Sequence, residues 1–193
     1  MARVARIGVL ALQGAYAAHQ RMLERLGVQT RAVRLADELD GLDGLVLPGG
    51  ESTTLLHFLM QDGLLARLAA FAHSHPCLGT CAGLILLARQ VVPAQPSLGV
   101  LDVVVQRNAY GRQRDSAILA GPSVLPGPPL EMVFIRAPRI LHCGPQVEVL
   151  ARRDGDPVLV RQGTAIGCAF HPELGRDARV HRLLLAACAE AAV

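Results

Sequence analysis

Cys81 lies between two glycines in Gly79-Thr80-Cys81-Ala82-Gly83, where a short apolar run gives way to a helix-forming one. A nucleophile in a Gly-x-nucleophile-x-Gly pattern is held on a sharp strand-to-helix elbow. The small flanking residues relieve Cβ clashes in the turn. The sulfur then projects at the mouth of a helix whose first N–H groups favour negative charge. Such a setting favours the thiolate, the nucleophilic form of cysteine. The competing reading is a buried structural cysteine, a common fate of free thiols.

A cysteine nucleophile needs a base, and the base needs an orienting group. Of seven histidines, His171 has the most suggestive setting, in Phe170-His171-Pro172-Glu173 after an apolar strand pattern. Pro172 disfavours helical dihedrals at His171 and predicts an extended segment. Residues i and i+2 of such a segment face the same way, which would set the Glu173 carboxylate beside the imidazole and fix its tautomer. The bland alternative is a loop-end histidine capping a neighbour.

A second glycine turn, Pro48-Gly49-Gly50-Glu51-Ser52, also falls between a strand and a helix pattern. Its N–H groups, with that of Ala82, could form an oxyanion hole. It could equally be an ordinary turn in which Ser52 or Thr53 caps the helix. Both can hold together. His73, His75, Cys77 and Cys81 have the residue types of a zinc site. The first two fall at a helix end and Cys77 in a buried strand, so the side chains should diverge and no metal site is expected.

The elements that must place these residues alternate regularly. Ile7–Leu12 reads as a strand buried on both faces, followed by a turn at Gln13-Gly14 and a helix carrying Ala18, Met22 and Leu26. Val28–Val33 and Leu42–Leu47 read as further strands, and Leu55, Leu56, Leu59 and Met60 mark a helix. This alternation predicts an α/β fold with a mostly parallel central sheet flanked by helices. The second half is richer in proline. Val100–Val105, Glu131–Ile135, Val147–Leu150, Val158–Val160 and Ala165–Phe170 suggest short strands and an antiparallel extension. Val180, Leu183, Leu184, Ala187, Cys188 and Ala191 form the stripe of a last helix. Nothing resembles a linker or a repeat, so residues 1–193 are predicted to form one domain. In a parallel sheet the strands' C-terminal ends share one edge, so Gln13 and Gly14 should lie beside the Gly49–Gly50 turn.

Composition removes several classes of function. The basic residues number 19 and every one is arginine, so no lysine Schiff base with a carbonyl substrate can form on this chain. The net charge of +3 comes from scattered arginines, and aromatics are only 3%, which argues against a nucleic-acid platform. No stretch has the roughly 20 apolar residues of a membrane span. The N-terminal pattern runs directly into a strand, without the long apolar region of a signal peptide. Five cysteines at irregular spacing fit no disulfide framework and suit a reducing compartment. The expected location is cytoplasmic.

Together, Gly79-Thr80-Cys81-Ala82-Gly83 and His171-Pro172-Glu173 resemble the class I, triad-type glutamine amidotransferases. The similarity is closest to the glutaminase subunits of pyridoxal 5′-phosphate synthases. It rests on Leu10–Ala15, Leu47–Thr54, Gly79–Ala88, Arg107–Gln113, Phe134–Pro138 and Phe170–Leu174, and it covers nearly the whole chain. Ala117, where these proteins usually have an aromatic residue, and the Pro- and Gly-rich segment Gly121–Pro129 depart from the pattern.

The resemblance implies hydrolysis of L-glutamine to L-glutamate and ammonia, without a cofactor. Cys81 would attack the side-chain amide to form a thioester, His171 would move protons and Glu173 would orient His171. Gly50, Glu51, Ser52, Arg107, Ile135 and Arg136 would hold glutamine, with Gly50 and Ala82 at the oxyanion. An arginine fork suits an α-carboxylate, although the residue types of Arg107 and Arg136 fit solvated charges as well. The implied partner is a (β/α)8-barrel pyridoxal 5′-phosphate synthase subunit in a hetero-oligomer, which receives the ammonia. A glutaminase serving imidazole glycerol phosphate synthesis is the alternative, and the Arg107–Gln113 stretch argues against it.

Overall fold

Strands buried on both faces need apolar or small side chains along most of their length, and three adjacent ones here meet that demand. In the computed structural model, which describes residues 4–61, 63–107, 109 and 117–191, β1 (Arg6–Leu10), β3 (Gly44–Leu47) and β4 (Cys77–Thr80) lie side by side in the centre of a seven-stranded sheet. Ile7, Val9, Leu45, Val46, Leu47 and Leu78 are fully buried. β2 (Gln29–Val33) forms one edge beyond β1. On the other side β12 (Ala165–Cys168) runs parallel to β4, with Cys168 opposite Thr80. β11 (Asp156–Gln162) and β10 (Glu148–Arg153) then continue the sheet antiparallel. The mostly parallel sheet and its antiparallel extension are therefore those that the residue pattern predicts.

Helices α1 (Tyr16–Arg25), α4 (Ala82–Leu87) and α5 (Arg179–Ala191) pack against these strands, and α2 (Ser52–Leu59) packs against α4 and α3 (Leu64–Ser74). A second sheet joins β5 (Ala88–Val92), β6 (Leu101–Gln106) and β9 (Arg139–Cys143), and β7 (Ala117–Gly121) pairs with β8 (Leu130–Phe134). Three of these strands escape the residue pattern for local reasons. β5 follows α4 without a glycine or proline between them, so the apolar run reads as one helix. β7 is Ala-Ile-Leu-Ala-Gly, and β9 has only Ile140 buried. Neither shows the alternation that marks a half-buried strand.

The topology fixes where chemistry can occur. β12, β4, β3 and β1 are neighbours with a common direction, so their C-terminal ends open onto one edge. His171, Cys81, the Gly49–Gly50 turn and Gln13 follow those four strands in the chain. Ligands of open α/β sheets bind at such an edge. Among the described residues no single helix is long and apolar enough to cross a membrane.

Candidate active site

Cys81 begins where β4 stops. Its backbone has φ 50° and ψ −103°, a conformation that residues with a Cβ avoid. Such strain costs on the order of 1–3 kcal/mol and persists where surrounding bonds over-determine it. Here the Cys81 N–H donates to the Cys168 carbonyl (2.8 Å), and the Cys81 carbonyl accepts from the Ile85 N–H (3.2 Å). α4 then descends against β3 so closely that a Cβ on Gly83 would lie 1.9 Å from the Leu47 carbonyl oxygen. Gly83 thus lets the elbow close.

His171 is anchored by its N–H, which donates to the Val133 carbonyl (2.8 Å). Its φ of −108° and ψ of 84° are non-helical, as Pro172 requires. The extended segment does not continue: Pro172–Leu174 form a 3-10 turn. Proline at the start of a turn loses no hydrogen bond, and its φ suits helical geometry, so the chain coils immediately after His171. The turn still carries Glu173 back to the imidazole. His171 Nδ1 lies 2.7 Å from Glu173 Oε1, and both residues are buried. An ionised carboxylate only accepts, so Nδ1 carries the proton and Nε2 is left for the sulfur. Burial disfavours the imidazolium, but hydrogen bonds to Cys81 and Glu173 and the charges of both outweigh it and raise the His171 pKa to about 10. The arrangement is a cysteine at the mouth of a helix beside an imidazole that favours its protonated form, with a carboxylate behind.

Cys81 and His171 line one cleft with Gly50, Glu51, Ser52, Ile85, Ile135, Arg136 and Pro138. Gly49 packs against both: a Cβ there would sit 2.4 Å from His171 Cε1 and 3.2 Å from Cys81 Cβ. Ala82, buried, supplies the first N–H after the nucleophile. The Gly49 carbonyl accepts from the Ala15 N–H (3.1 Å), so the planar peptide directs the Gly50 N–H the opposite way. Gln13 clamps the next residue: its Nε2 donates to the Glu51 carbonyl (2.9 Å) and its Oε1 accepts from the Glu51 N–H (3.3 Å).

The cap of α2 is neither Ser52 nor Thr53. Glu51 is the N-cap, and its carboxylate accepts from the N–H groups of Thr53 (3.3 Å) and Thr54 (2.8 Å) and from both threonine hydroxyls. Its longer side chain reaches back over the turn, which frees Ser52 to face the cleft. The Thr53 hydroxyl, with those other donors, holds the Glu51 pKa at about 2. Ile135 and Arg136 follow β8, with Arg136 at φ 43°. Arg107 lies behind the cleft wall, where its guanidinium donates to Ser52 Oγ (3.3 Å) and to Gln95 Oε1. Gln95 is a member of this cluster that residue reasoning missed. It lies in a proline-flanked loop, and nothing in its spacing ties it to Arg107. Of the Arg107–Gln113 stretch, all but Arg107 and Ala109 lie outside the described residues. His73 bonds the Ala69 carbonyl and Cys77 is fully buried, and among the described residues no three His, Cys, Asp or Glu side chains are grouped so as to hold a metal ion.

Residues 9–190 match the model of the SNO glutamine amidotransferase family. The chain belongs to that family. It is 56% identical to the pyridoxal 5′-phosphate synthase subunit PdxT of Koribacter versatilis, over 93% of this chain and 94% of the relative. The PdxT subunit of Frankia casuarinae is 55% identical over 93% of both chains. That of Thermotoga maritima is 47% identical over 93% of this chain and 97% of the relative. A crystal structure of a glutamine amidotransferase superposes with a TM-score of 0.88 at 43% identity, covering 95% of this chain and 98% of that one. A second glutamine amidotransferase from Thermotoga maritima, only 16% identical with a TM-score of 0.62, covering 98% of this chain and 84% of that one, shares the fold.

Proposed function

We propose that the chain is the glutaminase subunit of a pyridoxal 5′-phosphate synthase and that Cys81, His171 and Glu173 are its catalytic residues. The observation that carries this reading is the convergence of the three: Cys81 on its elbow and His171 line one cleft, and His171 bonds Glu173 at 2.7 Å, all at one sheet edge. Cys81 Sγ attacks the side-chain amide carbon of L-glutamine. The developing oxyanion is met by the N–H groups of Ala82 and Gly50. Protonated His171 gives its proton to the departing nitrogen as the C–N bond breaks, leaving ammonia and a γ-glutamyl thioester. Water then attacks the thioester, His171 takes a proton from it, and that proton returns to the departing sulfur as L-glutamate forms. Glu173 keeps the imidazole oriented and stabilises its charged form.

Gly50, Glu51, Ser52, Arg107, Ile135 and Arg136 hold glutamine in this reading. Arg136, at the cleft, suits the α-carboxylate. Arg107 acts through Ser52, and Glu51 offers its backbone because its carboxylate caps α2. Ammonia passes to a (β/α)8-barrel synthase subunit in a hetero-oligomer. The lysine-free composition supports that division, since carbonyl chemistry then falls to the partner. The setting is cytoplasmic.

Partner binding should switch the site on. Ammonia released without an acceptor wastes glutamine, and the Gly49–Gly50–Glu51 backbone is held by the β1–α1 turn through Ala15 and Gln13. The Gly49 carbonyl faces Ala15 in this structure, so contact with that turn acts by keeping these peptides from turning over, which glycine otherwise permits at little steric cost. One oxyanion donor is worth roughly 10²- to 10³-fold in rate. Steady-state ammonia release should therefore rise by about that factor with excess synthase, and by less in Gln13→Ala. Equal activity with and without synthase ends the gating idea; undiminished activation in Gln13→Ala removes Gln13 from it.

The His171 proton also sets the pH response. Turnover by the complex should hold from neutral pH into the alkaline range and fall as pH rises through about 10, where the imidazolium that protonates the leaving nitrogen is lost. The raised pKa adds stability that is complete below 6.5 and lost through the same alkaline window. Circular dichroism across the titration separates loss of the proton from loss of the fold. A rate that drops between pH 7 and 8 contradicts the assignment.

A further inference from the structure

Behind Glu173 lies a second buried polar group that the reaction above does not use. His19 on α1 and His181 on α5 are both fully buried, with His19 Nδ1 2.9 Å from His181 Nε2. The other nitrogen of His19, Nε2, lies 3.1 Å from Thr80 Oγ1 and 3.3 Å from Glu173 Oε2. Thr80 directly precedes the nucleophile, so one ring nitrogen touches both the elbow and the carboxylate that orients the base. Glu173 Oε1 is committed to His171, while Oε2 has no aligned hydrogen bond among the described residues, which leaves the His19 contact as its polar neighbour.

The protonation of the pair follows from its surroundings. Burial, then the charges of His181 and His171, hold the His19 pKa well below its ordinary value. Burial and the nearby charge of Arg25 lower that of His181 to about 4. Both rings are therefore neutral near pH 7, each with one N–H and one lone pair. A lone pair on His19 Nε2 would face a carboxylate, so Nε2 carries the hydrogen. Nδ1 must then accept, and the His181 Nε2–H donates to it. This leaves His181 Nδ1 as a buried acceptor without a partner. Two apolar side chains would avoid that cost. The polar pair is thus explained by what its far end does.

We propose that His19 is a positioning residue for Glu173: its Nε2–H, fixed in that tautomer by His181 and donated to Thr80 Oγ1, sets a positive edge 3.3 Å from Oε2 that holds the carboxylate so that Oε1 stays on His171. The inference rests on the reading of Cys81, His171 and Glu173 as the triad. A neutral donor suits the role, because a charged His19 would compete with His171 for the carboxylate.

The test compares His19→Gln with His19→Asn in the full chain saturated with the synthase subunit. The amide nitrogen of Gln reaches the position of Nε2, whereas that of Asn reaches only Nδ1. His19→Asn should lower kcat roughly 10-fold, since the polar contact on Oε2 and the bond to Thr80 are lost together, with KM nearly unchanged. His19→Gln should recover most of that loss. His181→Phe, which removes only the donor to Nδ1, should lower kcat by a smaller factor with KM unchanged, and it provides an independent arm should His19→Asn not fold. Equal kcat in the Gln and Asn variants, a loss confined to KM or to melting temperature, or wild-type kcat in His181→Phe overturns the proposal. Glu173→Gln is assayed alongside. If it retains wild-type turnover, the triad reading fails and this inference with it. If it collapses while His19→Asn does not, only the role of His19 falls.

Discussion

Cys81→Ser should abolish ammonia release from glutamine and leave the fold intact. Serine is nearly isosteric, and the elbow at φ 50° is held by backbone bonds to Cys168 and Ile85 that do not involve the sulfur. The chemistry changes far more than the shape. A hydroxyl is much less acidic than a thiol, and the site is matched to a thiolate stabilised by an imidazolium. Cys81 is also one of the groups that raise the His171 pKa, so the serine variant loses that support for the imidazolium along with its nucleophile. Removing a nucleophile from a unit of this kind typically costs on the order of 10⁶-fold in kcat. Ammonia release at even about one hundredth of the wild-type rate by pure, folded Cys81→Ser would contradict the assignment.

Glu173→Gln should cut turnover strongly, but by less than His171→Asn. The imidazole moves the proton, and general acid–base catalysis is worth roughly 10²- to 10⁴-fold. Glu173 acts through it. A glutamine amide can still accept from Nδ1–H, so geometry is partly retained while the negative charge that favours the imidazolium is lost. The pH profile distinguishes the two. In Glu173→Gln the alkaline limb should move to lower pH, because one of the groups raising the His171 pKa has gone. In His171→Asn no proton carrier remains. Wild-type turnover in Glu173→Gln, or an unmoved alkaline limb, would detach Glu173 from the site.

The parts of this account legible from residue order are those that depend on local physics. Both-face apolar runs such as Ile7–Leu10 and Leu45–Leu47 announce buried parallel strands, and the glycines around Cys81 announce the elbow. The proximity of Gln13 to the Gly49–Gly50 turn followed from topology alone. What escaped depends on long-range partners. His19 lies on the buried face of α1 and meets Thr80, Glu173 and His181 from three other parts of the chain. In sequence it looks like any histidine in an amphipathic helix. The available signal was its position one turn into α1, on the buried face shared by Ala18 and Met22. Glu51 took the capping role because its reach matches two N–H groups and two hydroxyls, a geometry that cap preferences for serine and threonine do not anticipate. His171 and Glu173 meet through a 3-10 turn rather than an extended segment. There the contact was foreseen for the wrong geometric reason.

The central claim is that Cys81 carries a glutamyl group during turnover. The direct measurement is mass spectrometry of the chain, acid-quenched during steady-state turnover of glutamine in the presence of the synthase subunit. The account predicts a γ-glutamyl adduct on the peptide containing Cys81, absent from Cys81→Ser and from samples quenched after glutamine is exhausted. Steady ammonia release with no such adduct in the wild type, or with the adduct on another residue, would contradict it.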